Sequence, residues 1–353
     1  MEQIILFAFL ILFPFGQIIK IGQINPIDIA VLLGAIVAIL KRYKKPRYFN
    51  SFLSVALFSY LLSIFIIKNS QVAVGFLYFA RLTSYLYFYL FLRSFKDKKL
   101  LFNSLLLISF FSALFGWFQY FIYPDLTSLK YFGWDDHLYR LVGTFLDPGF
   151  TGLIIVFGAL LSYAKKKYLL FSFFVITLAF TYSRAGYLAF VFSLFIASLI
   201  FKKLKIFLIS ISCFVAIVFL LPTPAGEGVN LARTYSITFR IENYQETFQI
   251  FKKFPVFGVG FNNLCIYKGS GNSHSCSGSD SSLLLILATT GIVGFIVFIS
   301  SILKIIFNLK KGFYSNTFLV ILAAVFIHSF FANSLFYPWV MGYLAITVSL
   351  VEE

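Results

Sequence analysis

Charge is what this chain has least of. Only 12% of its 353 residues are charged, while 60% are hydrophobic. A soluble domain carries about a quarter charged residues, so an ordinary water-soluble globule is excluded. Acidic residues are scarcer still, 13 against 29 basic ones, which leaves a formal net charge of +16. That excess does not mark a nucleic-acid partner, because the basic residues fall in runs: "KRYKKPR" (41–47), "RSFKDKK" (93–99), "KKK" (165–167), "KKLK" (202–205) and "KIIFNLKK" (304–311). Cysteine is also rare, at three residues. Cys213 sits in an apolar run, while Cys265 and Cys276 share a polar loop, where an oxidising compartment would let them pair. The N-terminus has Glu2 and no basic cluster or small-residue cleavage site, so it reads as a retained segment and not a signal peptide.

What is present is apolar sequence, in runs of roughly 15–22 residues repeated from end to end, the pattern of an all-α bundle of membrane-spanning helices. An even number of apolar segments separates each basic run from the next. Retention of positive charge on the inner side then places all five runs and both termini in the cytoplasm. About twelve spans follow, at roughly 4–19, 27–40, 51–67, 71–92, 100–122, 150–164, 168–183, 185–201, 206–221, 281–303, 314–332 and 336–351. The second opens on "NPID", with Asn25 as cap, Pro26 at the first helical position and Asp28 in the first turn. Residues 1–353 form one polytopic domain with two long external segments, 123–149 and 222–280. These, with the turn "TYSRAG" (181–186), hold most ionisable groups that are not cytoplasmic anchors. Long loops in compact proteins are usually functional, so the chemistry faces away from the cytoplasm.

A secondary transporter keeps ionisable residues near the bilayer midplane and shows repeated halves. Here no internal repeat is visible and the spans are nearly free of charge, the exception being Arg81 in "FLYFARLTSYLYFYL". Arg81 has two readings: a structural arginine satisfied by nearby carbonyls or tyrosines, or a contact to an anionic head group entering between helices.

The most water-compatible stretch is "FRIENYQETFQIFKKFPVFGVGFNN" (239–263). Ile241, Tyr244, Phe248 and Phe251 share one helical face, and Glu242, Gln245, Glu246, Gln249 and Lys252 the other, which predicts an amphipathic helix on the membrane surface or against other spans. Arg240 lies one turn before Tyr244 and is expected on the apolar side. Pro255 ends the helix, and "FPVFGVG" allows a tight turn back to the bundle.

This segment, followed by "SDSSLLLILATTGIVGF" (279–295), resembles the O-antigen ligase and O-antigen polymerase superfamily of membrane glycosyltransferases. There an arginine-led helix runs into a P-x-x-G-x-G turn, and a polar motif opens a span reading L-L-x-x-x-x-x-G-I-x-G. "RLVGTFLDPGFTG" (140–152) resembles the family's R-x-x-G-T-F-x-x-P segment, and "TYSRAG" its S-R-G/A turn. Two departures stand out: Ser279-Asp280-Ser281 replaces the histidine and asparagine usual in ligases, and Gly149 replaces a frequent asparagine. Asp-Ser at that place is more similar to the polymerase branch.

The resemblance implies transfer of a glycan from an undecaprenyl-diphosphate-linked donor to a hydroxyl acceptor, on the extracytoplasmic face of the inner membrane. The acceptor is another lipid-linked repeat for a polymerase, and lipid A core or a protein for a ligase. A transporter of lipid-linked glycan is the further alternative. The leaving diphosphate needs its charge stabilised, which guanidinium groups do without a metal or other cofactor. Arg240 and Arg184 are the expected diphosphate ligands, with Arg140 lining the same cavity and Arg81 as a further contact; Arg233 lies outside any motif. Asp280 is the first candidate for the base that takes the acceptor proton, its alternative role being to cap the tenth span. His274 is the second candidate, by its intrinsic pKa. "WDDH" (134–137) has too few ligands for a metal site, and reads as a solvated loop face or an acceptor-sugar contact.

Overall fold

The computed structural model describes residues 1–20, 22, 24–46, 50–67, 71–224, 226–269 and 278–351. Among these the regular structure is helical, without a named strand. The α-helices are α1 (Glu2–Leu12), α2 (Pro26–Leu40), α3 (Ser51–Ile66), α4 (Val72–Arg93), α5 (Lys98–Ile122), α6 (Pro148–Ala164), α7 (Tyr168–Ala179), α8 (Arg184–Ile200), α9 (Leu204–Leu220), α10 (Tyr235–Lys253), α11 (Leu264–Lys268), α12 (Ser282–Phe307), α13 (Phe313–His328) and α14 (Pro338–Ser349). Each of the twelve expected apolar segments coincides with one of these helices, and the other two, α10 and α11, fall within 222–280. Two of them, α5 and α12, are long and apolar enough to cross a membrane by length alone. Nine further apolar segments are shorter, at 10–17 residues, where a straight crossing takes about 20.

Helix starts follow local chemistry. Asn25 and Asp147 each precede a proline at the first helical position, and Asp147 accepts the Phe150 amide at 2.8 Å. Asp28 takes the backbone N–H of Asn25 at 3.0 Å, completing the start of α2.

The centre of the bundle is α6, whose every residue from Thr151 to Ala164 is buried. It packs against α5, α7, α8 and α13. Small residues permit this closeness, as in other membrane bundles: a Cβ at Gly158 would lie 2.6 Å from the Phe174 ring and 2.8 Å from Ser109. The perimeter is the reverse. Helix α9 buries only Ser210 and Phe214, and Leu169, Phe219 and Leu220 are more than 80% exposed. An apolar perimeter of this extent is consistent with a membrane protein.

Helix α12 is broken at Gly291, where φ is 67° and ψ is −171°. A break inside an apolar helix frees backbone groups that hydrocarbon cannot satisfy. The turn after α10 supplies them. Val259 and Gly260 donate to the carbonyls of Ala288 and Thr289 at 2.9 and 3.1 Å, while Ile292 and Val293 donate to Pro255 and Val256 at 2.9 and 3.3 Å. The P-x-x-G-x-G turn and the G-I-x-G of the following helix are therefore two halves of one joint.

Helix α10 turns most of its apolar face outward, the membrane-surface one of its two expected placements, but Arg240 lies on the inward side and not on the apolar one. Ile241 and Phe248 are 49% and 42% exposed, while Thr247 and Ile250 are buried and Arg240, Asn243 and Tyr244 half-buried. The inward stripe runs 240, 243, 244, 247, 250, at helical spacing. Where the outside is lipid, an apolar face has no reason to turn inward, so the polar stripe packs on the bundle and carries Arg240 with it.

Candidate active site

The polar groups converge where α10 crosses the starts of α6, α8 and α12 and the end of α13. Three arginines stitch this junction through backbone carbonyls. Arg140 is buried, donating from Nε to Thr181 at 3.1 Å and from a terminal nitrogen to Tyr182 at 3.2 Å. Arg184 donates to the carbonyls of Leu231 and Arg233 at 3.3 and 2.7 Å and to Ser236 Oγ at 2.6 Å. Arg233 donates to Gly228, Asn230 and Tyr182 at 2.7, 2.9 and 3.4 Å. Carbonyls satisfy the donors but leave the positive charge in place. Burial, followed by the repulsion of Arg233, pushes the Arg140 pKa down to about 9, so its guanidinium stays charged at neutral pH.

Arg240 differs from these three: among the described residues no hydrogen bond or ion pair engages its guanidinium. It acts electrostatically on Arg184, Arg233, Asp147, Asp280, Tyr244 and His328, which places it at the centre of the junction. Helix α10 is held there by Asn243 Oδ1, which accepts the Asp280 amide at 2.9 Å, and by Tyr244, whose hydroxyl donates to the Phe330 carbonyl.

Asp280 is not the cap of α12. Ser281 is, accepting the Leu284 amide at 3.4 Å. The neighbouring serines are structural as well. Ser281 Oγ donates to Ser329 at 3.1 Å and Ser282 Oγ to Ala332 at 3.1 Å, tying the start of α12 to the chain after α13. Asp280 keeps its carboxylate for other work. Burial raises its pKa above the ordinary carboxylate value, and Arg240 opposes that rise. Asp147 is raised in the same way, with Arg140 and Arg240 among the opposing causes. Asp135, although accessible to solvent, is crowded enough to be raised too, first by desolvation and then by Asp147. Three carboxyls under the influence of Arg140 and Arg240 make a place where protons and anionic charge can be handled together.

His137 corrects the expectation of a solvated "WDDH" face: it is 7% exposed, and its Nε2 has no partner. Burial and then Arg140 and Arg233 push its pKa down to about 3, so it is neutral. Among the described residues no group of three His, Cys, Asp or Glu is placed to hold a metal ion. His274 and Cys276 lie outside the described residues; Cys265 is disulfide-bonded and Cys213 is free. Arg81 stands apart from the arginine group. It pairs with Asp28 at 2.8 Å and lies over the Tyr78 ring at 5.3 Å, and Tyr85 donates to the same carboxylate at 3.1 Å.

Two members of the junction carried no sequence signal beyond their identity. Asp147 reads as a helix cap. His328, at the end of an apolar run, is fully buried, with Nδ1 2.6 Å from Ser334 Oγ and Nε2 unpartnered. It faces Gly149, where an added Cβ would lie 3.7 Å from Nε2.

Residues 169–299 match the family model for O-antigen ligase. The matched segment covers less than half of the chain. A search of the curated proteins finds no match to this chain. The matched segment runs from α7 into α12 and so contains Arg184, Arg233, Arg240 and Asp280; Arg140, Asp147 and His328 lie outside it.

Proposed function

We propose that the protein is a metal-independent surface-polysaccharide polymerase, moving a glycan from an undecaprenyl-diphosphate-linked donor to a hydroxyl of a second lipid-linked glycan outside the cytoplasm. The observation that carries this reading is the unengaged guanidinium of Arg240, set among three further arginines and beside the carboxylate of Asp280. In the reaction, the acceptor oxygen forms a bond to the anomeric carbon of the donor. The bond from that carbon to the diphosphate breaks, and the diphosphate leaves with the electron pair. The acceptor proton passes to Asp280.

Arg240 binds the departing phosphate oxygens, where its planar fork makes two parallel charge-assisted hydrogen bonds. Arg184, Arg233 and Arg140 supply fixed positive potential behind it, strongest as the leaving group's charge develops. Burial favours the neutral form of Asp280, which brings its basicity nearer to what general base catalysis at neutral pH requires. A carboxylate here, in place of the ligase histidine, is the feature that favours the polymerase over transfer to lipid A core or protein. The test uses purified full-length protein and a lipid-linked repeat in the presence of a chelator. Lengthening of the glycan is expected, and its absence with wild-type protein removes the reading.

A further inference from the structure

The polar junction has a second cationic end that the chemistry above leaves unused. The turn after α1 is clamped to the G-T-F segment leading into Asp147. Gln17 donates its amide to Thr144 at 2.8 Å, and its side-chain nitrogen to Phe145 and to the Tyr337 hydroxyl, both at 3.0 Å. Thr144 Oγ1 returns a bond to Pro14 at 2.6 Å. Tyr337 lies close to Asp147 and to Tyr85, so it joins the two ends of the junction.

Lys20 follows this turn, half-buried, with Nζ 5.7 Å from the centre of the Trp134 ring. Arg81 is near enough to act on it electrostatically. The carboxylate beside Arg81 is Asp28, already occupied by Arg81, Tyr85 and the Asn25 amide. Lys20 has no carboxylate partner among the described residues. Burial, and then Arg81, pull its pKa down, as expected of a cation that lacks a counter-ion. Trp134 adds an aromatic plate beside the charge and adjoins Asp135, which neighbours Asp147 and Asp280.

We infer that Lys20 and Trp134, beside the Arg81–Asp28 pair, form a second anion subsite, which holds the diphosphate of the lipid-linked acceptor while Arg240 holds that of the donor. This rests on the glycosyl-transfer reading and makes it specific. An enzyme with two diphosphate subsites joins two lipid-linked glycans, whereas one with a single subsite passes its glycan to an acceptor of another kind. The acceptor diphosphate is bound and keeps its sugar; the one bond broken is that between the donor's anomeric carbon and its diphosphate oxygen, at Arg240.

The test is native mass spectrometry of the full-length protein in detergent, titrated with undecaprenyl diphosphate. Wild type is expected to bind two molecules. Lys20→Gln should weaken one of them by roughly tenfold or more, through loss of a charge-assisted contact, Lys20→Arg should retain both, and Arg240→Gln should lose the other. A single molecule bound to wild type, or two bound undiminished to Lys20→Gln, overturns the inference. If Lys20→Gln loses one molecule while Arg240→Gln loses none, the second subsite stands and the donor assignment of Arg240 falls. An equal amount of phosphatidylglycerol that displaces the Lys20-dependent molecule would show a phospholipid head-group site, which also overturns the inference.

Discussion

Replacing Gly291 with alanine is expected to unseat α10 from α12. Gly291 adopts φ 67° and ψ −171°, a region nearly closed to other residues, where an L side chain costs about 1–3 kcal/mol. The new Cβ would lie 2.1 Å from the Val256 carbonyl oxygen and 2.3 Å from its carbon. Both are backbone atoms, so no rotamer relieves the contact, and the 255–260 turn must retreat by about 1 Å or more to reach ordinary separation. That retreat strains the four backbone hydrogen bonds of the joint, each contributing about 0.5–1.5 kcal/mol. The summed loss is roughly 3–9 kcal/mol, against total stabilities of about 5–15 kcal/mol for folded domains. The assay is the temperature at which the detergent-solubilised protein ceases to elute as a single species on size exclusion. Gly312→Ala is the control: its φ of 173° is extended and nothing lies within 4 Å of an added Cβ. If Gly291→Ala and Gly312→Ala melt together with wild type, the break in α12 and the joint built on it are wrong.

Arg240→Lys should lower glycosyl transfer by roughly a hundredfold, because an ammonium keeps the charge but not the fork; a rate within about twofold of wild type, measured on purified protein, contradicts the diphosphate role. Asp280→Asn should abolish transfer. In wild type, activity should rise with pH through an acid limb above the ordinary carboxylate range, since burial raises the Asp280 pKa and only the ionised form accepts a proton. Arg240 pulls that pKa down, so in Arg240→Gln the residual activity should show the limb moved to higher pH; a wild-type profile flat down to pH about 4 would remove Asp280 as the base. His137 is neutral in the fold, with its pKa lowered from 6.5 to about 3. Below pH 6.5 the unfolded chain binds the proton and the folded one does not, so thermal stability should fall as pH drops toward 3, by up to about 1.4 kcal/mol per pH unit from this group. His137→Gln should flatten that dependence, and an unchanged slope would show the imidazole to be solvated.

The helices were legible because the sequence marks both of their ends. Basic runs stop the apolar segments on one side, and Asn25-Pro26 starts a helix on the other. The arginines of three recurring motifs were legible as a group, and the fold brings Arg140, Arg184 and Arg240 together. The orientation of α10 was not legible: its period identifies an apolar face, but only the solvent decides whether that face turns inward. Asp28 and Arg81 each carried a local explanation, a helix start and a lone intramembrane charge, and nothing in the chain between them announced that they pair. The choice between Asp280 and Ser281 as cap is likewise invisible, since both are good caps. His328 carried no pattern at all; its partner Ser334 and its position over Gly149 exist only in three dimensions.

The way the arginines are held explains how one of them can be left free. A guanidinium paired with a carboxylate is satisfied and also neutralised, as Arg81 is by Asp28. Arg140, Arg184 and Arg233 are bound to carbonyls and a hydroxyl, which fixes their geometry and leaves their charge. Those carbonyls lie in the 181–182 turn and the 228–233 loop, so forming the charge cluster and seating the loop that leads into α10 are a single folding event. Arg240 then stands in a positive field oriented before any substrate arrives, with the nearby carboxyls shifted toward their neutral forms and so less able to cancel it. An anion entering this site meets donors already in place, the condition under which charge stabilisation favours the transition state most. Exchanging the hydroxyl contact of Arg184 for a carboxylate, through Ser236→Asp, should therefore leave the loop seated by the Leu231 and Arg233 carbonyls while weakening diphosphate binding. Retained affinity in that variant would mean that the field of the surrounding arginines contributes little, and that Arg240 binds alone.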